Sequence, residues 1–181
     1  MNIVEPIRSR KDVARVEKFL EGNSKRNRLI FVFGINTGLR VSDILALNVE
    51  DVLGKESVVI RERKTGKYKK FPLNMKLQQL LKEYLVEKKV GEPLFVGKKH
   101  KRLERSQVYR FLNHACRSVG INDILVGTNT MRKTFGYHHY KQFNDVALLQ
   151  NILNHSSPSI TLRYIGISQE EINLSYSKFQ L

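Results

Sequence analysis

Cysteine is nearly absent from this chain of 181 residues, and acidic residues are far outnumbered by basic ones. The single cysteine, Cys116, excludes an internal disulfide framework and is typical of a reducing cytoplasm. No apolar run approaches the roughly 18 residues that a membrane span requires. The first residues, MNIVEPIRSRKDV, lack the apolar stretch and the cleavage site of a secretory signal. We therefore expect a cytoplasmic protein without a membrane partner.

The excess of basic residues is the first indication of function. Lys and Arg number 32 against 17 Asp and Glu, which gives a formal net charge of +15. The excess is concentrated in RERKTGKYKK (61–70) and KKHKRLER (98–105). Such clusters favour a nucleic acid as partner, because each neutralised phosphate releases condensed counterions. A merely basic soluble protein is a weaker alternative, and so is a membrane-surface protein, since neither stretch has the pattern of an amphipathic helix.

The apolar pattern predicts one mainly helical domain. Helical periodicity recurs along the chain, for example in MKLQQLLKEYLVEKK and in a segment that opens at Ser106. Two β-rich runs, 57–63 and 68–73, flank KTGK and predict a hairpin with Gly66 in its turn. No repeat or Pro/Gly/Ser-rich linker interrupts the sequence. The expected fold class is α+β, mainly α with a small antiparallel sheet, and residues 1–181 are expected to form a single domain.

Basic residues and tyrosines together suit one kind of chemistry. Transfer of a phosphodiester without a metal requires a nucleophile, cations that neutralise the transition state, and an acid for the leaving oxygen. Arginine suits the neutralisation of the transition state, and lysine or histidine suits the protonation of the leaving oxygen. A tyrosine phenol, with a pKa of about 10, can act as the nucleophile when cations surround it. A phosphotyrosine ester keeps the bond energy for a second transfer, so no nucleotide cofactor is required. Composition alone does not choose among the 32 cations.

Four motifs make that choice. TGLRVSDILALNVEDV, the basic hairpin, TMRKTF and LNHSSPSITLRY follow one another between about residues 25 and 166. In this order they resemble the tyrosine recombinase (phage integrase) family. The resemblance implies the DNA breaking-rejoining catalytic domain fold. It also implies a site-specific recombinase or integrase of a phage or mobile element, which cleaves and rejoins DNA through a 3′-phosphotyrosyl intermediate.

The resemblance assigns each catalytic role to one residue of this chain. Arg40 and Arg132 are similar to the two arginines that bind the phosphate. Lys64 is similar to the lysine that protonates the leaving 5′ oxygen. His155 matches the histidine that hydrogen-bonds the scissile phosphate, and Tyr164 matches the nucleophile.

Three further positions qualify this assignment. Asp43 resembles the acid that steadies the first arginine, and Lys67 is an alternative to Lys64 as the acid. The third motif departs from the family, because Asn129 stands where the family usually has the histidine of H-x-x-R. Asparagine can donate a hydrogen bond to phosphate, but it cannot carry a proton or a charge. Asn129 is therefore compatible with a slow enzyme and with a protein no longer selected for cleavage.

The implied partners are double-stranded DNA and further protomers, which in this family form a tetramer on DNA. We expect no metal or other cofactor, because His138 and His139 are adjacent and therefore point to different faces of a helix. The remaining cations expected to bind nucleic acid are Arg61, Arg63, Lys67, Lys69, Lys70, Lys98, Lys99, Lys101, Arg102 and Lys133.

The ends of the chain suggest a second hypothesis. An N-terminal helix within about residues 1–24 precedes the catalytic pattern, and residues 169–181 are expected to form a tail helix. We expect no N-terminal core-binding domain of the kind that closes around DNA in the family, and hence modest, salt-dependent affinity. The alternative is a recombinase-fold DNA-binding protein, acting as a repressor or an integrase accessory factor. Asn129 favours this alternative, whereas the five retained catalytic residues oppose it. A type IB topoisomerase shares the chemistry, but the TGLR and HSS motifs resemble integrases.

Overall fold

The computed structural model describes residues 4–97, 101–167 and 169–180. One β-hairpin follows the first three helices and precedes the others, and a 3₁₀ turn covers Val49–Asp51 before the hairpin. The helices are α1 (Arg10–Asn23), α2 (Lys25–Thr37), α3 (Val41–Ile44), α4 (Met75–Leu85), α5 (Arg105–Ser118), α6 (Thr130–Phe143), α7 (Val146–Leu153), α8 (Pro158–Ile165) and α9 (Gln169–Lys178), and the strands are β1 (Ser57–Arg61) and β2 (Tyr68–Pro72). The expected fold class, mainly α with a small antiparallel sheet, is confirmed.

Helix α2 forms the centre of the core. Its residues 29–34 are all buried, which a helix reaches only when other elements cover it on every side. It packs against α1, α4 and α6. The contact with α6 is close at Gly34, where an added Cβ would lie 2.7 Å from the Cβ of Met131. This close packing holds the end of α2 beside the first turn of α6, where Arg132 lies.

Inward-facing and outward-facing side chains alternate along the strands of the hairpin. Strands β1 and β2 pair antiparallel with Val58 opposite Phe71 and Ile60 opposite Lys69. Val58 and Phe71 are buried against the main core, so this face of the hairpin points inward. Gly66 lies in the turn with a φ of 68°, a backbone conformation that favours glycine. The predicted hairpin and its turn residue are confirmed.

A smaller apolar cluster lies under the C-terminal helices. Leu149 and Leu153 of α7 pack on Ile165 of α8, and Tyr164 lies at the border of the cluster. Ser157 caps the start of helix α8, where its hydroxyl accepts from the Ile160 amide and Pro158 occupies the first turn. This cluster fixes the helix that carries Tyr164.

The start of α5 differs from the prediction. The helix begins at Arg105, and Glu104 is its N-cap in place of Ser106. Glu104 and Gln107 form a capping box, in which the Gln107 side chain accepts from the Glu104 amide at 3.0 Å. Because the side chains of Glu104 and Gln107 pair with backbone N–H groups at the helix start, the helix begins before Ser106.

The last helix, α9, presents apolar side chains to the surface. Leu174 and Tyr176 are 52% and 77% exposed, and Phe179 beyond the helix is 69% exposed. Within residues 4–97, 101–167 and 169–180, no helix combines the length and the apolar character that crossing a membrane requires.

Candidate active site

The end of α2 places Arg40 beside two buried carboxylates. Gly38 ends the helix with a φ of 63° and packs against the ring of Phe135, so both backbone and space favour glycine there. The guanidinium of Arg40 follows, with Nη1 3.0 Å from a carboxylate oxygen of Glu62 and 3.9 Å from one of Asp43. The predicted supporting acid, Asp43, is thus the more distant partner, and Glu62 is the closer one.

Asp43 also connects α3 to the hairpin. Its second carboxylate oxygen accepts from the backbone amide of Arg63 at 3.0 Å. Lys64 follows in the turn and is exposed. The hairpin is therefore fixed at its base by a buried acid, while the lysine side chain extends from the turn.

Arg132 is held between two main-chain carbonyls. It is 2% exposed, and its guanidinium donates to the carbonyl oxygen of Gly38 and, at 2.6 Å, to that of Leu153. Burial lowers the pKa of Arg132, and the nearby Tyr164 acts in the opposite direction. An arginine so held remains charged at neutral pH, so the site keeps a fixed cation whose remaining N–H groups can bind phosphate.

His155 is a neutral imidazole. Its Nδ1 lies 3.1 Å from the hydroxyl oxygen of Thr161, and that hydroxyl donates to the carbonyl of Ser157 at 3.2 Å. This arrangement assigns the ring proton to Nδ1 and leaves Nε2 as an acceptor. Burial, together with the charges of Arg132 and Arg40, lowers the pKa of His155 from 6.5 to about 4.

Tyr164 lies between His155 and Lys133. Its ring packs edge-on against the imidazole, with centroids 4.8 Å apart, and Lys133 Nζ lies 4.8 Å from the Tyr164 centroid. Burial raises the pKa of Tyr164, although Arg132 and Arg40 oppose the rise. The phenol is consequently protonated at neutral pH, and its proton must leave when it attacks.

One open cleft of about 750 Å³ brings the predicted catalytic residues together. It is lined by Arg40, Lys64, Arg132, His155 and Tyr164. Asn129, the residue before α6, also lines it and is exposed. A larger groove of about 950 Å³ beside α4 is lined by none of these six residues.

The cations predicted to contact DNA fall into two groups. Five of them are exposed: Arg61, Arg63, Lys67, Lys70 and Lys101. Lys98 and Lys99 lie outside the described residues.

Three others point inward, which corrects their expected placement on the surface. Lys69 Nζ donates to the carbonyl of Ile152 at 2.8 Å, and burial lowers its pKa to about 8. Arg102 donates to the carbonyls of Leu45 and Leu47 at 2.7 and 2.9 Å. Lys133 is 7% exposed. Their amines and guanidinium serve protein contacts because the fold covers them.

Sequence reasoning missed residues that support the site. Glu62, Asn154 and Thr161 contact catalytic segments, and Arg105 lines the cleft. A signal existed for Glu62, since strand alternation places it on the same face as the apolar Val58. An acid on the inward face of a basic hairpin indicates a buried cation partner.

The sequence is similar to that of known proteins from one family. The model of the phage integrase family matches residues 9–171. The probable integrase/recombinase YoeC of Bacillus subtilis (strain 168) is 45% identical over 180 residues, which cover 99% of this chain and 98% of that protein. Tyrosine recombinase XerC of Thermodesulfovibrio yellowstonii is 28% identical over 164 residues, 85% of this chain and 54% of XerC. The chain thus spans nearly all of YoeC and about half of XerC.

Solved structures agree with the fold. The crystal structure of XerA recombinase superposes with a TM-score of 0.80 at 21% identity, over 98% of this chain and 67% of that one. A lambda integrase tetramer bound to a Holliday junction gives a TM-score of 0.72 at 17% identity, over 91% of this chain and 49% of that one. The family model covers most of the chain, and YoeC is similar over almost its whole length. The chain therefore belongs to the phage integrase family, the tyrosine recombinases.

Proposed function

We propose that this protein is a site-specific DNA recombinase, or integrase, that cleaves and rejoins DNA through a 3′-phosphotyrosyl intermediate without a metal or nucleotide. The observation that carries the proposal is the cleft itself. It joins a tyrosine, two arginines, a neutral histidine and a hairpin lysine, which come from four separate parts of the sequence. These groups supply every provision that metal-free phosphodiester transfer requires.

The cleavage step assigns one task to each group. The Tyr164 oxygen attacks the phosphorus, and the bond from phosphorus to the 5′ oxygen breaks. Lys64 protonates the departing 5′ oxygen. Nε2 of His155, the neutral ring packed on Tyr164, accepts the phenolic proton, and the resulting imidazolium hydrogen-bonds the phosphate. Arg40 and Arg132 neutralise the phosphate oxygens.

Rejoining reverses these transfers on a second strand. A 5′ hydroxyl attacks the phosphotyrosine, the phosphorus–Tyr164 bond breaks, and the phenol recovers its proton from His155. Lys64, now neutral, accepts the proton of the attacking hydroxyl. No bond energy is lost between the two steps, so no nucleotide is consumed.

Asn129 favours a second candidate function. It is exposed in the cleft, where the family usually has a histidine, and its amide can hold phosphate but cannot transfer a proton. One lost acid–base group slows such a reaction by about 10²–10⁴-fold. A chain slowed to this degree would act as a repressor or as an accessory factor to an integrase.

Double-stranded DNA and further protomers are the proposed partners. The exposed cations Arg61, Lys67 and Lys70 belong to the hairpin whose turn carries Lys64, and they supply phosphate contacts. By analogy with the lambda integrase tetramer on its junction, we propose assembly into a tetramer on DNA. The apolar side chains of α9 would support protomer contacts, and unchanged assembly after removal of α9 would contradict that role. The proposed location is the cytoplasm, in keeping with a single buried thiol.

A covalent trap on a nicked suicide duplex tests the function. The duplex comes from DNA that flanks the gene, and SDS gels follow the adduct formed by the wild-type protein. We expect an SDS-stable adduct whose peptide maps to Tyr164 and which Tyr164→Phe abolishes. Asn129→His should form it about 10²–10⁴-fold faster.

Tyr176→Phe is the matched control, because Tyr176 is exposed in the tail and should leave the rate unchanged. An adduct that forms only in Asn129→His would identify a recombinase fold whose chemistry has decayed at one position. Salt-sensitive binding without an adduct from either protein, on every flanking duplex tried, would support the DNA-binding alternative.

A further inference from the structure

Glu62 occupies the centre of the cation cluster behind the cleft. Its side chain is fully buried, and Oε1 lies 3.0 Å from Nη1 of Arg40. The other oxygen, Oε2, accepts from the Thr65 hydroxyl at 2.7 Å and from the Asn154 side-chain amide at 2.9 Å. A single carboxylate therefore contacts three segments that are distant in sequence.

Each of these contacts is next to a predicted catalytic residue. Arg40 is itself one of them, Thr65 follows Lys64 in the hairpin turn, and Asn154 precedes His155. A displacement of Glu62 would consequently move the phosphate-binding arginine, the general acid and the imidazole together.

The electrostatics of the cluster support an ionised carboxylate. Burial raises the pKa of Glu62, but the hydrogen bonds from Thr65 and Asn154 and the charge of Arg40 outweigh burial, and the pKa is lowered. Glu62 also attracts the buried cations of Lys69 and Arg132. A buried charge of this kind persists only when partners on all sides offset its desolvation.

The backbone at Asn154 provides independent support. This residue ends α7 in the left-handed conformation, with a φ of 52°, where glycine is the usual choice and asparagine is tolerated. Asn154 occupies this position, and its side-chain amide reaches Glu62. Asn144 ends α6 in the same conformation, with a φ of 51°, but it is exposed.

We propose that Glu62 is a positioning residue of the recombinase site, which holds Arg40, the Lys64 turn and the His155 turn in one arrangement. The inference rests on the proposed function, because it concerns the geometry of that reaction. Glu62 touches neither DNA nor the reacting atoms, and it acts through the three segments that it connects.

Single-turnover cleavage of the suicide duplex tests this role. Glu62→Gln keeps the shape and an acceptor oxygen but loses the charge that faces Arg40. We expect it to slow adduct formation about 10–100-fold, a loss near that of one misplaced electrostatic group, with DNA affinity within about threefold because most phosphate contacts lie elsewhere. Glu56→Gln, an exposed acid at the base of the same hairpin, should leave the rate unchanged.

Two milder variants test separately the contacts of Glu62 with the His155 turn and with the Lys64 turn. Asn154→Gly removes the amide while favouring the same backbone conformation, and it should slow cleavage about 3–10-fold, the effect of one hydrogen bond. Asn144→Gly is its matched control and should leave the rate unchanged. Thr65→Ala removes the contact next to Lys64 and should cause a similar loss.

A duplex with sulfur in place of the bridging 5′ oxygen distinguishes positioning from general damage. A thiolate leaves without an acid, so this substrate should restore most of the rate lost in Lys64→Ala and Thr65→Ala, part of that lost in Glu62→Gln, and none of that lost in Asn154→Gly. A damaged fold in Glu62→Gln or Thr65→Ala would slow both substrates equally.

The outcomes are distinct. Wild-type cleavage with unchanged rates in both Glu62→Gln and Asn154→Gly would overturn the inference alone, as would equal loss on the oxygen and sulfur substrates in Glu62→Gln and Thr65→Ala. No adduct from the wild type or from Asn129→His would contradict the proposed function and the inference with it.

Discussion

The two sides of the cleft differ in how firmly they hold their cations. Arg132 is almost fully buried, and main-chain carbonyls from the ends of α2 and α7 fix its guanidinium. Lys64 lies in the hairpin turn and is exposed to solvent. Both groups line the same cleft.

This difference corresponds to two tasks in phosphodiester transfer. A cation that stabilises the transition state is most effective when it is fixed beforehand, because no reorganisation is then needed during the reaction. An acid must reach the leaving oxygen and then exchange its proton, which suits a long side chain on a turn. Burial accordingly characterises the arginine proposed to bind phosphate, and exposure characterises the lysine proposed to donate the proton.

Substitution of Arg132 should give the largest effect. Arg132→Lys cannot donate to both carbonyls and still hold a phosphate in a fork, because lysine lacks the planar guanidinium. We expect adduct formation to fall about 10²–10³-fold and the free energy of unfolding to fall by about 1–3 kcal/mol. The suicide-duplex assay and urea unfolding measure the two quantities.

Arg163, exposed on α8, supplies the control, since Arg163→Lys should leave both quantities near those of the wild type. A stable Arg132→Lys protein with full activity would remove the distinction between the two sides.

Substitution in the hairpin turn should affect chemistry without affecting stability. Lys64→Ala should slow adduct formation about 10²-fold, while the free energy of unfolding stays within about 0.5 kcal/mol of the wild-type value. Lys67→Ala should mainly reduce the salt dependence of DNA binding, because Lys67 is exposed but does not line the cleft. If Lys67→Ala were the slower of the two, Lys67 would be the general acid.

The smallest effect concerns pH and the folded state. The pKa of His155 falls from 6.5 to about 4 on folding, so below about pH 6.5 the unfolded chain binds the proton first. The contribution of His155 to stability is therefore complete above that pH and is lost as the pH falls towards 4. Urea unfolding should show a decline on the order of 1 kcal/mol, because solvent screens a half-buried ring.

His155→Gln isolates this contribution, since His138 and His139 also have pKa values lowered by burial and are retained in both proteins. The difference in unfolding free energy between wild type and variant should shrink or change sign as the pH falls. A pH-independent difference would show that the imidazole is not buried in its neutral form.

Much of the site was predictable because short motifs carry it. TGLR, the hairpin, TMRKTF and HSS followed by a tyrosine identify Arg40, Lys64 and Tyr164, and the structure brings them to one cleft. For Glu62, in contrast, strand alternation indicates only that the side chain points inward, and it does not identify the partners. Lys69 resembles its exposed neighbour Lys70 in residue type, although the fold buries much of its side chain. Alternation gives the direction of a side chain along a strand, but the partner that the side chain meets depends on the packing of distant segments.

The sequence by itself determined the helical and hairpin segments, the excess of positive charge and the family. These properties depend on local periodicity, turn residues and motif spacing, which act over a few neighbouring residues. Only the tertiary structure decided which cations are buried, that Glu62 is the nearest acid to Arg40, and that His155 is neutral. Those properties arise from desolvation and from contacts between segments as distant as Glu62 and Asn154, and they exist only after the segments pack together.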